Sequence, residues 1–452
     1  MAGTNIEVDL TSYSKKGIAR GTVGPKKVEV RGALVGERVD ATIIKKRKGV
    51  HLAQLETVKS PSVERRNAPC PHFPSCGGCS FQNLKYPSQL SYKQSVIEGL
   101  FGESLPIIPC DDEWAYRNKM EYTFSEDKEG TKYLGLIKAG SKGRVLTLSE
   151  CHLTAPWFIE ALSITRSWWE KHNLSAFHMY KDTGHLRNLV LREAKNTGER
   201  MIVLVVSGNP DFALPKAALD DFVKCMRDAF EENPLHIFLK IHQAVKGEPT
   251  QFFEVHLHGS EWLTEKLRIT TDKSYTVKIS PSAFYQPNST QVGKLYGKAL
   301  ELAAPKKTDL VYDLYCGIGT IGIAFSEYVR EVKGIELNPY AVYDAHANIE
   351  ANEIDNVEVI RGDVGALLEG MPTPDIAIID PPRAGLEKKA MKHLVSLQAK
   401  KIVYISCNPY TQAENVQELM GHGYTIHSVQ PVDQFPQTAH CENIVVLQLE
   451  RQ

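Results

Sequence analysis

The sequence predicts a multidomain α/β protein: a small N-terminal β-barrel, a mixed α+β middle and a C-terminal doubly wound sheet. Three observations carry this prediction. Residues 1–60 break into five short strand-like runs punctuated by glycine. From about residue 276, strand-like and helix-like segments alternate, the pattern of a parallel sheet covered by helices. The chain has 452 residues, more than a single hydrophobic core usually serves. With 42% hydrophobic and 24% charged residues, it reads as an ordinary globular protein.

The N-terminal runs are IEVDL, ARGTV, KVEVRG, RVDATII and HLAQLETV. Gly17, Gly21, Gly24, Gly32 and Gly36 stand between or within them, and strands this closely spaced suggest a small barrel over residues 1–62. SPSVERRNAPCPHFP reads as a linker entering a compact loop. In the middle of the chain, YPSQLSYKQSVIEGLF has helical period, whereas MEYTFS, KYLGLI, NLVLREA, RMIVLVVSG and IFLKIHQAV resemble strands. This middle unit is assigned to residues 63–275 and the alternating unit to 276–452. The latter opens with the helix-like STQVGKLYGKALELA and continues through VYDLY, EVKGIEL, NVEVI, DIAIID, KIVYIS and YTIHSVQ.

Charge and cysteine usage narrow the function classes. Residues 1–66 carry 14 Lys and Arg against 7 Asp and Glu, in a chain whose net charge is -1. A basic barrel suits nucleic acid, although a solvated surface has the same composition. No apolar run reaches membrane-spanning length. MAGTNIEVDL lacks a basic region followed by a long apolar stretch, so the expected compartment is the cytoplasm. Nine cysteines in such a chain point to metal or nucleophilic chemistry rather than a disulfide framework.

VYDLY runs directly into CGIGT, residues 316–320. Glycines at the carboxyl end of a strand let backbone approach a ligand at the switch point of a doubly wound sheet. The next three strands end in acids: Glu336 in KGIELN, Asp363 in VIRGD and Asp380 in AIIDPPR. Glu336 can accept hydrogen bonds from ribose hydroxyls, and Asp363 can accept one from an adenine amino group. GIGTIG also fits a loose dinucleotide fingerprint. S-adenosylmethionine has no phosphates and carries a sulfonium, which suits an acidic site, and the cysteine and DPPR elements have no role in hydride transfer, so it is favoured over NAD.

Cys407 ends the fifth strand, in KIVYISCNPY, with Pro409 just beyond. A free cysteine is commonly a packing residue, but this one stands on the ligand edge of the sheet. A thiolate there can add to carbon 6 of a uracil and make carbon 5 nucleophilic towards a methyl donor, so that one hard step becomes two easier ones. A base must then remove the carbon-5 proton. Glu442, in FPQTAHCENIVVL, is the candidate. The target base must leave its stack, at a cost of roughly a few kcal/mol.

Cys70, Cys76 and Cys79 form a C-x5-C-x2-C triplet, with Cys151 of LSECHL as the leading fourth ligand. Tetrahedral zinc and a [4Fe-4S] cluster both fit four thiolates. One triplet plus a distant single cysteine leans towards iron–sulfur. The spacing differs from the radical C-x3-C-x2-C pattern, so a structural cluster is expected.

Taken together, these motifs resemble the RNA uracil-5 methyltransferases, which form 5-methyluridine. The resemblance spans nearly the whole chain, through FYQPN, DLYCGIGT, GIELN, GD, DPPRAG, SCNP and FPQTAHCEN in order. It implies an RNA-binding TRAM domain with an OB-like barrel, an iron–sulfur central domain and a Rossmann-like class I methyltransferase domain. It implies cofactor contacts at Gln286, Tyr315, Thr320, Glu336, Asp363 and Asp380, the nucleophile at Cys407 and the base at Glu442. Cys70, Cys76, Cys79 and Cys151 match the ligands of the cluster, and Arg117 of YRNKM matches a motif near the RNA. Tyr315 and Thr320 stand where other members can carry Phe and Asn. CPHFPSCGGCSFQ is similar to the signature of the ribosomal-RNA branch, which implies large-subunit ribosomal RNA as the partner, with transfer RNA as the alternative. No membrane and no obligate protein partner are implied. Amino-group methyltransferases carry an aromatic residue where Arg383 follows Asp-Pro-Pro, and cytosine-5 enzymes usually have proline before the cysteine, where Ser406 stands. A non-catalytic RNA-binding assembly factor would need only the basic barrel.

Overall fold

The computed structural model describes residues 3–450 apart from 245, 246, 249 and 271. Strands β1 (Thr4–Tyr13), β2 (Ala19–Val23), β3 (Lys26–Arg31), β4 (Arg38–Arg47) and β5 (Val50–Ser60) close into a barrel in the order β1-β2-β3-β5-β4. Alternation along each strand turns Val8, Val28, Val30, Val39 and Ile43 inward as its core. Gly21 permits the closest approach in the barrel, since a Cβ there would sit 2.2 Å from the Asp9 carbonyl oxygen. Lys45, Lys46, Arg47 and Lys48 are exposed around the β4–β5 turn. The barrel read from the five glycine-punctuated runs is present.

Helix α1 (Tyr86–Phe101) starts with Pro87 in its first turn, where the missing N–H is harmless. Its Ile97 packs into the core of the C-terminal sheet rather than the middle of the chain. Lys93, fully buried, pairs with the equally buried Asp433 at 2.5 Å. Tyr86 donates to the other carboxylate oxygen at 2.9 Å. Losing one member of such a pair would strand the other in the core, at a cost of about 3–5 kcal/mol. Gln89 of the same helix exchanges two hydrogen bonds with Gln437. Helix α1 thus anchors the 433–438 segment from outside the sheet.

The middle unit is built from β6 (Lys119–Glu126), β7 (Lys132–Ile137), β8 (Val145–Thr147), α2 (Trp157–Lys171), β9 (Leu186–Glu193), β10 (Arg200–Ser207), α3 (Lys216–Ala229), β11 (Leu235–Gln243) and β12 (Gln251–His258). Its sheet runs β12-β11-β10-β9-β6-β7-β8. Phe158, Trp168, Trp169 and Phe222 fill the space between α2, α3 and one face. The opposite face is apolar too: Val190, Met201, Val203 and Phe238 merge with the core of the C-terminal unit. The hairpin β13 (Leu263–Arg268) and β14 (Ser274–Ile279) packs into that same shared core. The division at 275/276 therefore falls inside β14.

The C-terminal unit continues with α4 (Ser289–Ala303), β15 (Leu310–Leu314), α5 (Thr320–Ser326), β16 (Glu331–Glu336), α6 (Pro339–Ala351), β17 (Val357–Arg361), α7 (Val364–Leu367), β18 (Ile376–Ile379), α8 (Lys388–Leu397), β19 (Lys401–Ser406), α9 (Pro409–Met420), β20 (Tyr424–Val432) and β21 (Glu442–Leu449). The strand order is β17-β16-β15-β18-β19-β21-β20. Order reverses at β15, which makes its carboxyl end the switch point. The expectation of a parallel sheet needs one correction. Strands β15 to β19 are parallel, but β21 inserts antiparallel between β19 and β20. Only a short connection without a crossover helix joins β20 to β21, and such a link returns the chain antiparallel. Among the described residues, no helix is long and apolar enough to cross a membrane.

Candidate active site

The loop after β15 is shaped by left-handed backbone. Tyr315 has φ +63°, Gly317 +55° and Gly319 +81°, and α5 begins at Thr320. For Tyr315 this is an uncommon conformation for a residue with a Cβ. Glu336 ends β16 and braces the loop: one carboxylate oxygen accepts the Gly317 N–H at 3.0 Å, and the other accepts the Asn338 N–H at 2.7 Å. Asp363 lies just beyond β17, exposed, as the N-cap residue of α7. Asp380 follows β18, and burial pushes its carboxyl up to about 7. Asp313, inside β15, is pushed up to about 7 by burial, against the Gly322 N–H that it accepts. All the strand-end acids lie on the carboxyl edge of the parallel strands. The site offers the backbone of a glycine loop together with carboxylate acceptors. That set fits an adenosine derivative bearing a sulfonium better than one bearing a pyrophosphate.

Gln286 and Thr320 are both buried. The Gln286 carbonyl accepts from Asn118 at 2.9 Å, and Asn118 also donates to Ser289 at 2.8 Å. Arg117 forms a backbone bridge with Asn288. YRNKM and FYQPN, widely separated in sequence, thus meet beside the site. Thr320 donates to the buried Tyr296 hydroxyl at 3.4 Å.

Cys407 and Glu442 come together through the antiparallel strand. Ser406 of β19 pairs with Asn443 of β21, so the next position in that register sets Cys407 opposite Glu442. Glu442 is buried, and its carboxyl is held far above the usual carboxylate range by burial and then by the charge of Asp380. Cys407 is half-buried. Burial and the Glu442 charge push its thiol up to about 11, opposed by the Arg383 guanidinium. The Arg383 carbonyl accepts from Asn408 at 2.9 Å and from Thr411 at 3.3 Å. DPPR and SCNP are therefore laced together. Sequence reasoning used Arg383 only to set aside another reaction and missed this contact. Its place three residues after Asp380, in the loop that follows the strand adjoining that of Cys407, was the available signal.

The cysteine triplet lies in a separate place. Among the described residues, no set of three or more His, Cys, Asp or Glu side chains is arranged to hold a metal ion. Cys70, Cys76, Cys79 and Cys151 do line one cavity, with Met120, Leu136 and Leu148 as apolar walls. Burial pushes Cys76 up to about 11 and Cys79 to about 12. Neutral thiols have no electrostatic reason to converge on one point. Gln82 donates to the Cys79 sulfur at 3.1 Å, and Gly78 donates to that of Cys76 at 3.4 Å. The loop touches the active-site segment: the N–H groups of Ser80 and Phe81 both donate to the Gln437 carbonyl.

Comparison with known proteins follows the same geometry. Residues 253–450 match the family model of tRNA (uracil-5-)-methyltransferases. An RNA methyltransferase of Protochlamydia amoebophila is 46% identical over 442 residues, covering 93% of this chain and 100% of the relative. One from Caldanaerobacter subterraneus subsp. tengcongensis is 34% identical, covering 99% of each chain. The crystal structure of Pyrococcus abyssi tRNA (uracil-54, C5)-methyltransferase in complex with S-adenosyl-L-homocysteine superposes with a TM-score of 0.77 at 26% identity, covering 98% of this chain and 99% of that one. Those relatives, on a seven-stranded sheet whose carboxyl edge bears a thiol beside a buried carboxyl, identify the chain as an enzyme of the RNA uracil-5 methyltransferase family.

Proposed function

We propose that the enzyme methylates carbon 5 of a uridine in large-subunit ribosomal RNA, with S-adenosylmethionine as donor and Cys407 as nucleophile. The observation that carries this reading is the register that sets Cys407 against Glu442, next to Asp380 and Arg383. Gln286, Tyr315, Thr320, Glu336, Asp363 and Asp380 would hold the donor. When bound, S-adenosylmethionine supplies an electrophilic methyl group on a sulfonium. The chain's residues do the rest. Arg383 favours the thiolate of Cys407, which adds to carbon 6 of the flipped-out uracil and pushes electron density towards carbon 5. After methylation the carbon-5 proton passes to a carboxylate. Burial raises both Asp380 and Glu442, and the charge of Asp380 raises Glu442 further, so one proton shared by the pair leaves one carboxylate ready to accept. Loss of that proton regenerates the ring double bond and expels the thiolate.

The finer assignments belong to the same reading. Residues 1–62 act as a TRAM-type RNA-binding barrel, for which the exposed Lys45–Lys48 run is the support. The central domain of 63–275 and the catalytic domain of 276–452 follow, with their boundary shifted out of strand β14, and the enzyme works in the cytoplasm. Ribosomal RNA is preferred because of the cysteine signature and the barrel. Transfer RNA is the second reading, favoured by the activity named for the Pyrococcus abyssi neighbour. Incubating the enzyme with methyl donor and, separately, unmodified ribosomal and transfer RNA, then mapping nucleosides by mass spectrometry, decides between them. New 5-methyluridine in the large-subunit RNA is expected. Its appearance in transfer RNA alone would overturn the preference, and its absence from both would sink the reaction.

A [4Fe-4S] cluster bound by Cys70, Cys76, Cys79 and Cys151 is part of the proposal. A cluster is wider than a single ion, so its thiolates stand around a cavity instead of closing on a point. The shared cavity and the N–H donors to two of the sulfurs support the fit. Protein purified without oxygen should be brown and carry about four irons per chain. Colourless protein without iron after anaerobic reconstitution would refute the cluster and leave the methylation chemistry standing.

A further inference from the structure

We propose that Lys119 and Arg192, with Lys240 at their edge, form a phosphate-binding site that holds the RNA strand beside the extruded uridine. This rests on the reading of RNA as substrate, and it adds a site that the methylation chemistry does not use. The first support is register. Lys119 of β6 stands directly opposite Arg192 of β9 in an antiparallel pair. Both side chains therefore leave the same face with their Cβ atoms roughly 5 Å apart, and like charges so placed destabilise a sheet. That face is turned towards the catalytic unit, since Val190, two residues before Arg192, lies in the shared core.

Neither charge is paired. Arg192 is 3% exposed. Its Nη2 donates to the Ala283 carbonyl and, at 3.5 Å, to that of Pro281, while its buried Nε has no partner among the described residues. Lys119 is half-buried. Burial, and after it the charge of Arg192, push its ammonium down to about 7, with Lys240 and Arg117 adding to the repulsion and Glu121 opposing it. Asp344 and Glu254 act on Arg192, but Glu254 is paired with Lys240 at 3.7 Å. Among the described residues, no carboxylate forms an ion pair with Lys119 or Arg192. Positive charge held in such surroundings is costly until an anion joins it.

The cations adjoin the candidate active site. Lys240 donates to the Ser282 hydroxyl at 2.5 Å, so Lys240 and Arg192 grip consecutive residues of the segment that leads into FYQPN. Asn118, the neighbour of Lys119, donates to the Gln286 carbonyl. Arg117 donates from Nε to the Lys119 carbonyl at 3.1 Å. A phosphodiester is the fitting anion. RNA presents one on each side of an extruded nucleotide, and its oxygens can accept from several cations at once.

The test is binding of a fluorescein-labelled oligouridylate to the full-length enzyme in the presence of S-adenosylhomocysteine, read by anisotropy across a salt series. Lys119→Met, which keeps the reach of the side chain, should weaken binding about tenfold and flatten the slope of log affinity against log salt by about 0.7. It should leave Tm at or above the wild-type value, because it removes the like charge opposite Arg192. Lys119→Arg should restore affinity and slope. Lys216→Met is the control: Lys216 is exposed on α3, which packs on the other face of the middle sheet, and its loss should leave binding unchanged. Arg192 stays intact because it also holds the 281–283 backbone. Unchanged affinity and slope in Lys119→Met, or an equal loss in Lys216→Met, would overturn the proposal. So would a lowered Tm with an unaltered slope, the mark of a purely structural lysine. Weaker binding of S-adenosylhomocysteine with RNA binding intact would overturn it too, by giving the site to the cofactor's carboxylate. Because binding needs no turnover, a wild-type enzyme that holds the oligonucleotide in this way but forms no 5-methyluridine would refute the reaction and leave the phosphate site standing.

Discussion

Cys407→Ala is expected to abolish methylation, with a fall in kcat of about 10⁴-fold or more. The size follows from the chemistry. Without a thiolate on carbon 6, carbon 5 of uracil has too little electron density to attack a methyl group, and the residue paired with Glu442 on its other flank is Val432, which carries no nucleophile. Folding should be spared, because the side chain is half-buried and small. The companion measurement is trapping. RNA carrying 5-fluorouridine should form a denaturant-stable adduct with the wild-type enzyme, since fluorine cannot leave as a proton, and none with the variant. Adduct formation by Cys407→Ala, or full activity in it, would remove covalent catalysis by this residue.

Glu442→Gln should have the opposite signature on the same adduct. Glutamine cannot take up the carbon-5 proton, so addition and methylation proceed while release stalls. Turnover should fall by about 10²- to 10⁴-fold, and ordinary uridine RNA should remain covalently attached after denaturation. The variant also removes the Glu442 charge that raises the Cys407 thiol. Alkylation of Cys407 should therefore begin at lower pH than in the wild type. Stability gives an independent check, and its sign can be worked out. The Glu442 carboxyl lies higher folded than unfolded, so the folded state binds more protons above the ordinary carboxylate range. Its contribution is present at low pH and is lost as pH rises through the folded value. Glu442→Gln should then match the wild type in acid and gain in Tm relative to it as pH increases. A Tm difference that stays flat across this range, with no trapped RNA, would mean that the carboxyl is neither buried as described nor the proton acceptor.

Local pattern sufficed for much of the molecule. STQVGKLYGKALELA and YPSQLSYKQSVIEGLF are the two helices expected, residue for residue. The five N-terminal runs are the five barrel strands. Glu336, Asp363 and Asp380 could be read as strand-end acids because each follows an apolar run within a residue or two. Strands β8, β12, β13, β14 and β21 do not follow from the sequence pattern as read. Strand β8 has three residues, too few to show a period. Strand β12 lies exposed at the sheet edge and lacks the clean alternation of a half-buried strand. The contact of Arg383 with Cys407 was missed because it joins two strand ends through side chains, and no spacing along the chain encodes it.

The sequence by itself determined the element types, the glycine loop, the acids at the strand tips and the presence of a thiol at the end of the fifth strand. Those features are local: they follow from side-chain period, turn residues and backbone freedom over a few positions. Only the tertiary structure decided that β21 turns back between β19 and β20, that α1 reaches across to brace the 433–438 segment, and that the middle sheet shares its core with the catalytic unit. The physical reason is that long-range pairing depends on which apolar faces bury each other. Glu442 is a surface-like carboxylate in the sequence, and it becomes the buried neighbour of Cys407 once an antiparallel strand delivers it there.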